Sequence, residues 1–326
     1  MFQSQFLHHA QAPRTSVQIG RFFDLIVSLT KLDPQNFTKM QALLEATLDN
    51  IRSTDVLMIM NLIQFYSHLV EASHDPAILA FLEPKIPHLM RTLAPDADAF
   101  QSLLGAGTCE FLAVLRNHPD FERLDQQYNI LKMLEFHVLD PRSPQYSPAL
   151  MAFARIASTD RMFAYIGPRV LEAYRKMIST RPITPEKLTS LGILLSNNKP
   201  HETDLREQWF TLSLGDLVVP FMRDPTMMLS PITLLSALAG HIWGVKLIAD
   251  SAATMEWLQE RIGGYQETTG KFAVLKRMLA VTLSEEQRTG RHDHGPLGRW
   301  RHHVEIFIAQ GEWWRDTTAQ VATEGG

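Results

Sequence analysis

The chain has 326 residues, 45% hydrophobic and 20% charged, with a net charge of −4 and one cysteine, Cys109. That composition excludes a disordered chain, the charge leaves no general nucleic-acid footprint, and a lone cysteine excludes an internal disulfide and fits a reducing compartment. The length suits either two globular domains or one stack of helical repeats, which escapes the size limit of a single core.

Residues 1–16 carry no apolar run of useful length, so they read as a poorly ordered leading segment and not as a secretory signal. Residues 17–310 read as helix throughout. No stretch alternates with period two, and no Asn-Gly or Asp-Gly hairpin signal occurs. Three breaks, Asp33-Pro34, Asp75-Pro76 and His118-Pro119, lie 42 and 43 residues apart. Asp160, Pro200 and Gly240-His241 continue the spacing at 41, 40 and 40 residues. Proline ends a helix and pushes the residue before it out of the helical region. A break of this kind every 40–47 residues or so is the period of HEAT and armadillo arrays. The expected fold is therefore an all-α, HEAT/armadillo-like solenoid of about six or seven stacked helix pairs at that period.

Taken in chain order, 36–51 shows one apolar stripe: Phe37, Met40, Leu44, Leu48 and Ile51. The next helix, 54–70, starts at Thr54-Asp55 and is apolar around most of its circumference, as a helix covered on several sides must be. The alternation recurs in the apolar 100–115 and the mixed 120–139. In 100–115, Cys109 reads as a small buried side chain, and Gly105-Ala106-Gly107 as a place where helices approach closely. Pro141, Pro144 and Pro148 crowd the next junction, making 140–148 the candidate hinge. Helices are then expected at 148–157, at 161–178 with an interruption at Gly167-Pro168, and from Thr184-Pro185 to residue 197. Further helices are expected at 202–222, 231–240, 242–249, 252–262 and 270–283. The uncharged run 226–245 holds Ser230, Pro231, Thr233, Ser236, Gly240 and His241, so it reads as a buried helix and not a membrane span.

After residue 283 the character changes. Residues 288–303 carry Arg288, Arg291, Arg299 and Arg301 with four histidines, and 297–310 reads as a short helix. His292-Asp293-His294 with His302, His303 and Glu305 are the residue types that hold zinc. They sit among Gly290, Gly295, Pro296 and Gly298 without a fixed helical spacing, so a solvated loop with no metal is expected. No phosphate loop, nucleophile elbow or paired general acid and base is present, so no catalysis and no cofactor are expected. Trp209, Trp243 and Trp257 lie within helices, where packing is the ordinary reading, although tryptophan is also enriched at interaction hot spots. Trp313-Trp314 cannot both be buried on one helix face, and they open a small-residue tail, 311–326, expected to be flexible.

The pieces of 148–326 occur in an order that resembles the 26S proteasome non-ATPase regulatory subunit 5 family. Ala237-Leu238-Ala239-Gly240-His241-Ile242-Trp243-Gly244-Val245-Lys246-Leu247 is similar to a helix junction near the end of that family. Met255-Glu256-Trp257-Leu258 and Gly270-Lys271-Phe272-Ala273-Val274-Leu275-Lys276 resemble the helices that follow. Gly311-Glu312-Trp313-Trp314 and the small-residue ending resemble its aromatic-pair terminus. Ile242 departs from the pattern, where proline is expected, as do the tryptophans in place of a tyrosine pair and the basic loop at 288–303. The resemblance implies a helical-repeat chaperone for assembly of the proteasome base. Such a protein is non-catalytic, cytoplasmic with the nucleus also open to it, and monomeric outside its complex. It grips the C-terminal domain of an AAA ATPase subunit and engages neither nucleic acid nor membrane. The rival reading is a generic repeat scaffold, such as a transport or trafficking adaptor. Expected partner contacts are Trp243 and Lys246, at a helix start beside a break, with Trp313 and Trp314.

Overall fold

The computed structural model describes residues 16–49, 51, 55–196, 205–227, 229–290 and 295–313. The expectations for residues 1–15 and 314–326 lie outside that set. The described residues hold helices and turns and no strand. The fold is all-α, and within each unit helices stack on the next in solenoid fashion. It divides into two compact units, Met1–Ile156 and Ala157–Gly326.

In the first unit, α1 (Ser16–Leu32), α3 (Val56–Ala72) and α6 (Ala99–Leu115) pack side by side in one layer. Their first residues are 40 and 43 apart, the period of the proline breaks. The second layer comprises α2 (Gln35–Leu48), α4 (Pro76–Leu82), α5 (Ile86–Arg91) and α7 (Phe121–Tyr128). The sequence α8 (Ile130–Leu139) and α9 (Tyr146–Ala157) then follows. Each break joins a helix of the first layer to its partner in the second. At Asp75-Pro76, for example, the Asp75 carboxylate accepts from the Ala77 amide at 2.8 Å while proline occupies the first turn. Asp55 caps α3 by accepting from Met58, and Asp98 with Gln101 forms a capping box on α6.

The alternating sequence character is explained by the layers. Phe37, Met40 and Leu44 face inward on the one-sided α2. On α3, Ile63, Phe65, Tyr66, Leu69 and Val70 are buried between α1 and α6, with Phe23 stacked on Phe65 at 4.3 Å. Leu57 and Met60 of α3 are nevertheless exposed, so one strip of this helix stays open. Gly105 and Gly107 mark close approaches: the Gln145 side chain fills the place of a Gly105 Cβ, and Ile63 lies 3.5 Å from that of Gly107.

One expectation for this unit changes. The helix expected at 120–139 is two helices, because Asn129 takes a left-handed conformation (φ 55°) that a short polar side chain tolerates. The proline-crowded 140–148 lies inside the first unit and is tied down there. His137 bonds the Leu93 carbonyl at 2.6 Å and Ser143 at 2.7 Å, and Gln145 donates to the Ser102 carbonyl at 2.6 Å.

The second unit repeats the plan with α11 (Pro185–Leu194), α14 (Leu229–Leu238) and α17 (Tyr265–Thr289) side by side, their starts 44 and 36 residues apart. Gly192 lets α11 approach the α14 backbone at Thr233 and Leu234. The remaining α-helices described are α10 (Asp160–Ser179), α12 (Leu205–Trp209), α13 (Leu214–Leu217), α15 (Ile242–Asp250), α16 (Ala252–Gln259) and α18 (Arg301–Gln310), the last preceded by a 3₁₀ helix, Gly295–Trp300. Thr159 and Thr184 cap α10 and α11, and α10 is interrupted at Gly167 (φ 79°) as expected.

Here too the structure differs in places. The helix expected at 202–222 is broken into α12, α13 and a short 3₁₀ turn, because Ser213 opens a new cap and Pro220 removes a donor. Helix α16 stops at Gln259, before the glycine pair. Gly264 instead caps α17, which starts five residues before Gly270 and ends at Gly290 (φ 66°).

Candidate partner-binding surfaces

Most polar groups that could do chemistry are tied into the fold. Lys187 is buried and its ammonium donates to the Thr180 and Pro182 carbonyls at 2.6 and 3.0 Å, with burial lowering its pKa. His241 bonds the Leu195 carbonyl at 2.7 Å. Arg301 pairs with Glu286 and Glu305, and Arg288 with Glu285, so two of the arginines in 288–303 are neutralised within the protein. His292, Asp293 and His294 lie outside the described residues. His302 and His303 are exposed on α18, and among the described residues no three metal-ligating side chains gather. Among them, too, no helix is long and apolar enough to cross a membrane.

Cys109 faces the core of α6, where burial first and the Glu110 charge second push its thiol up to about 12. A thiol of that kind is neutral at physiological pH and a poor nucleophile. Native protein at pH 8 should therefore leave Cys109 unmodified by a disulfide reagent, while protein unfolded in guanidinium reacts with one equivalent. Rapid reaction in the native state would contradict the packing of α6.

The predicted contact residues fall in different places. Trp243 and Lys246 share the first turns of α15. Lys246 is exposed, whereas Trp243 is half-buried against Phe210 at 5.6 Å and His241 at 5.3 Å. Between them Gly244 is obligatory in kind, since a Cβ there would collide with the Leu238 carbonyl at the end of α14. Trp257 is buried, and half-buried Trp209 donates from its indole to the Leu171 carbonyl at 3.1 Å. Trp313 lies beyond α18 and is exposed, stacked on Tyr265 of α17 at 5.4 Å and 13°. Trp314 lies outside the described residues.

The Trp313–Tyr265 stack belongs to a larger apolar shelf. Tyr265 is 73% exposed and Ile262, three residues before it, 79%. Beside them runs a groove of about 490 Å³ lined by Met222, Pro225, Trp257, Ile262 and Gly263 together with the charged Arg223, Glu260 and Glu267. Arg223 and Glu260 form an ion pair at 2.9 Å. Sequence reasoning found Trp313 and missed Ile262 and Tyr265. The available signal was that two large apolar residues flank Gly263-Gly264, where no helix face can cover both. No protein-family model, curated protein or solved structure matches the chain, so its functional reading rests on these residues and on their arrangement.

Proposed function

We propose that the chain is a non-catalytic scaffold that holds a folded partner domain, and, with the resemblance of 148–326, that it serves as an assembly chaperone of the proteasome base. Its partner on this reading is the C-terminal domain of an AAA ATPase subunit. The observation that supports it best is the exposed Ile262, Tyr265 and Trp313 beside a groove lined by apolar and charged side chains together, the mixture an interface anchor site uses. Exposed aromatic side chains of this size are uneconomical on a surface with no partner. Lys246 adds an exposed charge on α15.

The test is titration of the purified full chain with the C-terminal domain of each base ATPase. Trp313→Ala and Tyr265→Ala should each weaken binding by about 2 kcal/mol with an unchanged melting midpoint, because both side chains are exposed. Lys246→Glu should weaken binding without loss of stability. Trp243→Ala should lower the melting midpoint, since its ring packs on Phe210 and His241. If no base ATPase domain binds, the chaperone reading fails and the generic helical scaffold takes its place.

A further inference from the structure

We propose a second binding site, in the first unit, for an extended basic segment of a partner polypeptide, laid across helix α3. Asn61, Gln64 and His68 recur at intervals of three and four, so they form one ridge along α3. Each of them lines two grooves. The first, about 210 Å³, lies against α1 and adds Gly20, Phe23, Asp24 and Val27. The second, about 380 Å³, lies against α6 and adds Leu57, Met60, Glu71, Gly107, Glu110 and Val114.

Three features of these grooves select the occupant. The side chains of Asn61 and Gln64 are exposed and hydrogen-bond to no described residue. A carboxamide offers one acceptor and two donors in a plane, the complement of a peptide group, so the ridge suits the main chain of an unfolded segment. Each groove also holds a carboxylate without an ion pair among the described residues, Asp24 in the first and Glu71 in the second, whereas Glu110 is taken by Arg155. No lysine or arginine lines either groove. Finally, apolar side chains stand in the walls of both grooves: Phe23 and Val27 in the first, Met60 and Val114 in the second. A lysine or arginine of the partner can lay its methylene stem along such a wall and place its charged head at the carboxylate.

The dimensions agree. Packed helices lie about 8–10 Å apart, which sets the separation of grooves on either side of one helix. Alternate residues of an extended chain lie about 7 Å apart and point the same way. Two basic side chains separated by one residue therefore straddle α3, one in each groove. The same carboxylates repel nucleic acid. This site shares no residue with the shelf of the second unit, so either can fail without the other.

The probe is a fluorescein-labelled peptide, Ala-Pro-Lys-Ala-Arg-Ala-Lys-Pro-Ala, whose prolines keep it extended, titrated with full-length protein by anisotropy. Its controls are the same peptide with glutamate at the three basic positions and an apolar amphipathic helix of similar length. Binding of the basic peptide alone is expected. Asn61→Ala with Gln64→Ala should weaken it about tenfold, the scale of a few net hydrogen bonds. Glu71→Lys should weaken it at least as much, while Glu256→Lys, an exposed reversal in the other unit, should leave it unchanged. All these side chains are exposed, and unchanged circular dichroism melts confirm that the fold survives. The proposal is overturned if either control peptide binds as well as the basic one. It is likewise overturned if Glu256→Lys matches the effect of Glu71→Lys, or if the double alanine variant binds normally.

Discussion

Arg206→Met should destabilise the second unit by about 3–5 kcal/mol, the usual cost of removing one partner from a buried charge network. The guanidinium is 2% exposed and reaches three groups on two stretches of the chain, 158–160 and Leu194. It pairs with Asp160 at 2.5 Å, donates to the Ser158 carbonyl at 2.5 Å and donates to the Leu194 carbonyl at 3.3 Å. It also lies 4.9 Å from the centre of the Phe163 ring. Methionine keeps most of the stem volume, so the loss isolates the polar network from simple cavity formation. Arg206→Lys should also destabilise, because a single ammonium cannot present the planar fork that serves three acceptors at once. Urea unfolding followed by circular dichroism reads the effect. A loss under about 1 kcal/mol for Arg206→Met would show that desolvation cancels the network's contribution.

A comparable loss, again about 3–5 kcal/mol, is expected for Glu267→Ala. Lys271 is 2% exposed on α17, and its ammonium lies 2.6 Å from Glu267 one turn earlier. It sits 4.5 Å from the centre of the Trp257 ring and donates to the Ile262 carbonyl at 3.4 Å. Removing Glu267 strands a buried cation, and the Ile262 bond and the ring cannot replace a carboxylate. Lys271→Met with Glu267→Leu removes both charges and should be milder than Glu267→Ala alone, the signature of a coupled pair in a double-mutant cycle. The same cluster ties down the 260–264 connector, which displays Ile262 and leads into Tyr265 at the start of α17. Glu267→Ala should therefore weaken partner binding as well as the fold, whereas Tyr265→Ala weakens binding alone. Equal stability of Glu267→Ala and the parent protein would refute the cluster's role.

How far the sequence could be read varies with how local the cause was. The breaks were legible because Asp75-Pro76, Thr184-Pro185 and their like act through their own backbone: a cap accepts from an amide two or three residues on, and proline starts a turn. The layer alternation was legible too, because burial on one side or several leaves its own hydrophobic period. Asn129 was missed, since left-handed backbone at a non-glycine residue leaves no hydrophobic signature. The early start of α17 was missed for a related reason. Tyr265 and Gln266 belong to the helix yet lie exposed, so they extend no apolar stripe.

The candidate surfaces were less legible than the fold. Trp313 stood out as one of two adjacent indoles, but its stacking on Tyr265 joins residues 48 positions apart. Trp243 looked like a surface anchor because it begins a helix; Phe210, from a different segment, covers part of it. Asn61, Gln64 and His68 are unremarkable in a helix that otherwise reads as buried.

By itself, then, the sequence determined an all-α chain with a helix break about every 40 residues and two alternating kinds of helix. Those properties follow from backbone restriction and from the number of sides each helix must cover, and both act within a few turns of chain. Only the tertiary structure decided which strip of α3 stays open between α1 and α6, which charges are buried as pairs and where Trp313 stacks on Tyr265. Each of these depends on groups brought together from distant segments, and their meeting is set by the packing of one helix pair on the next, which no local pattern records.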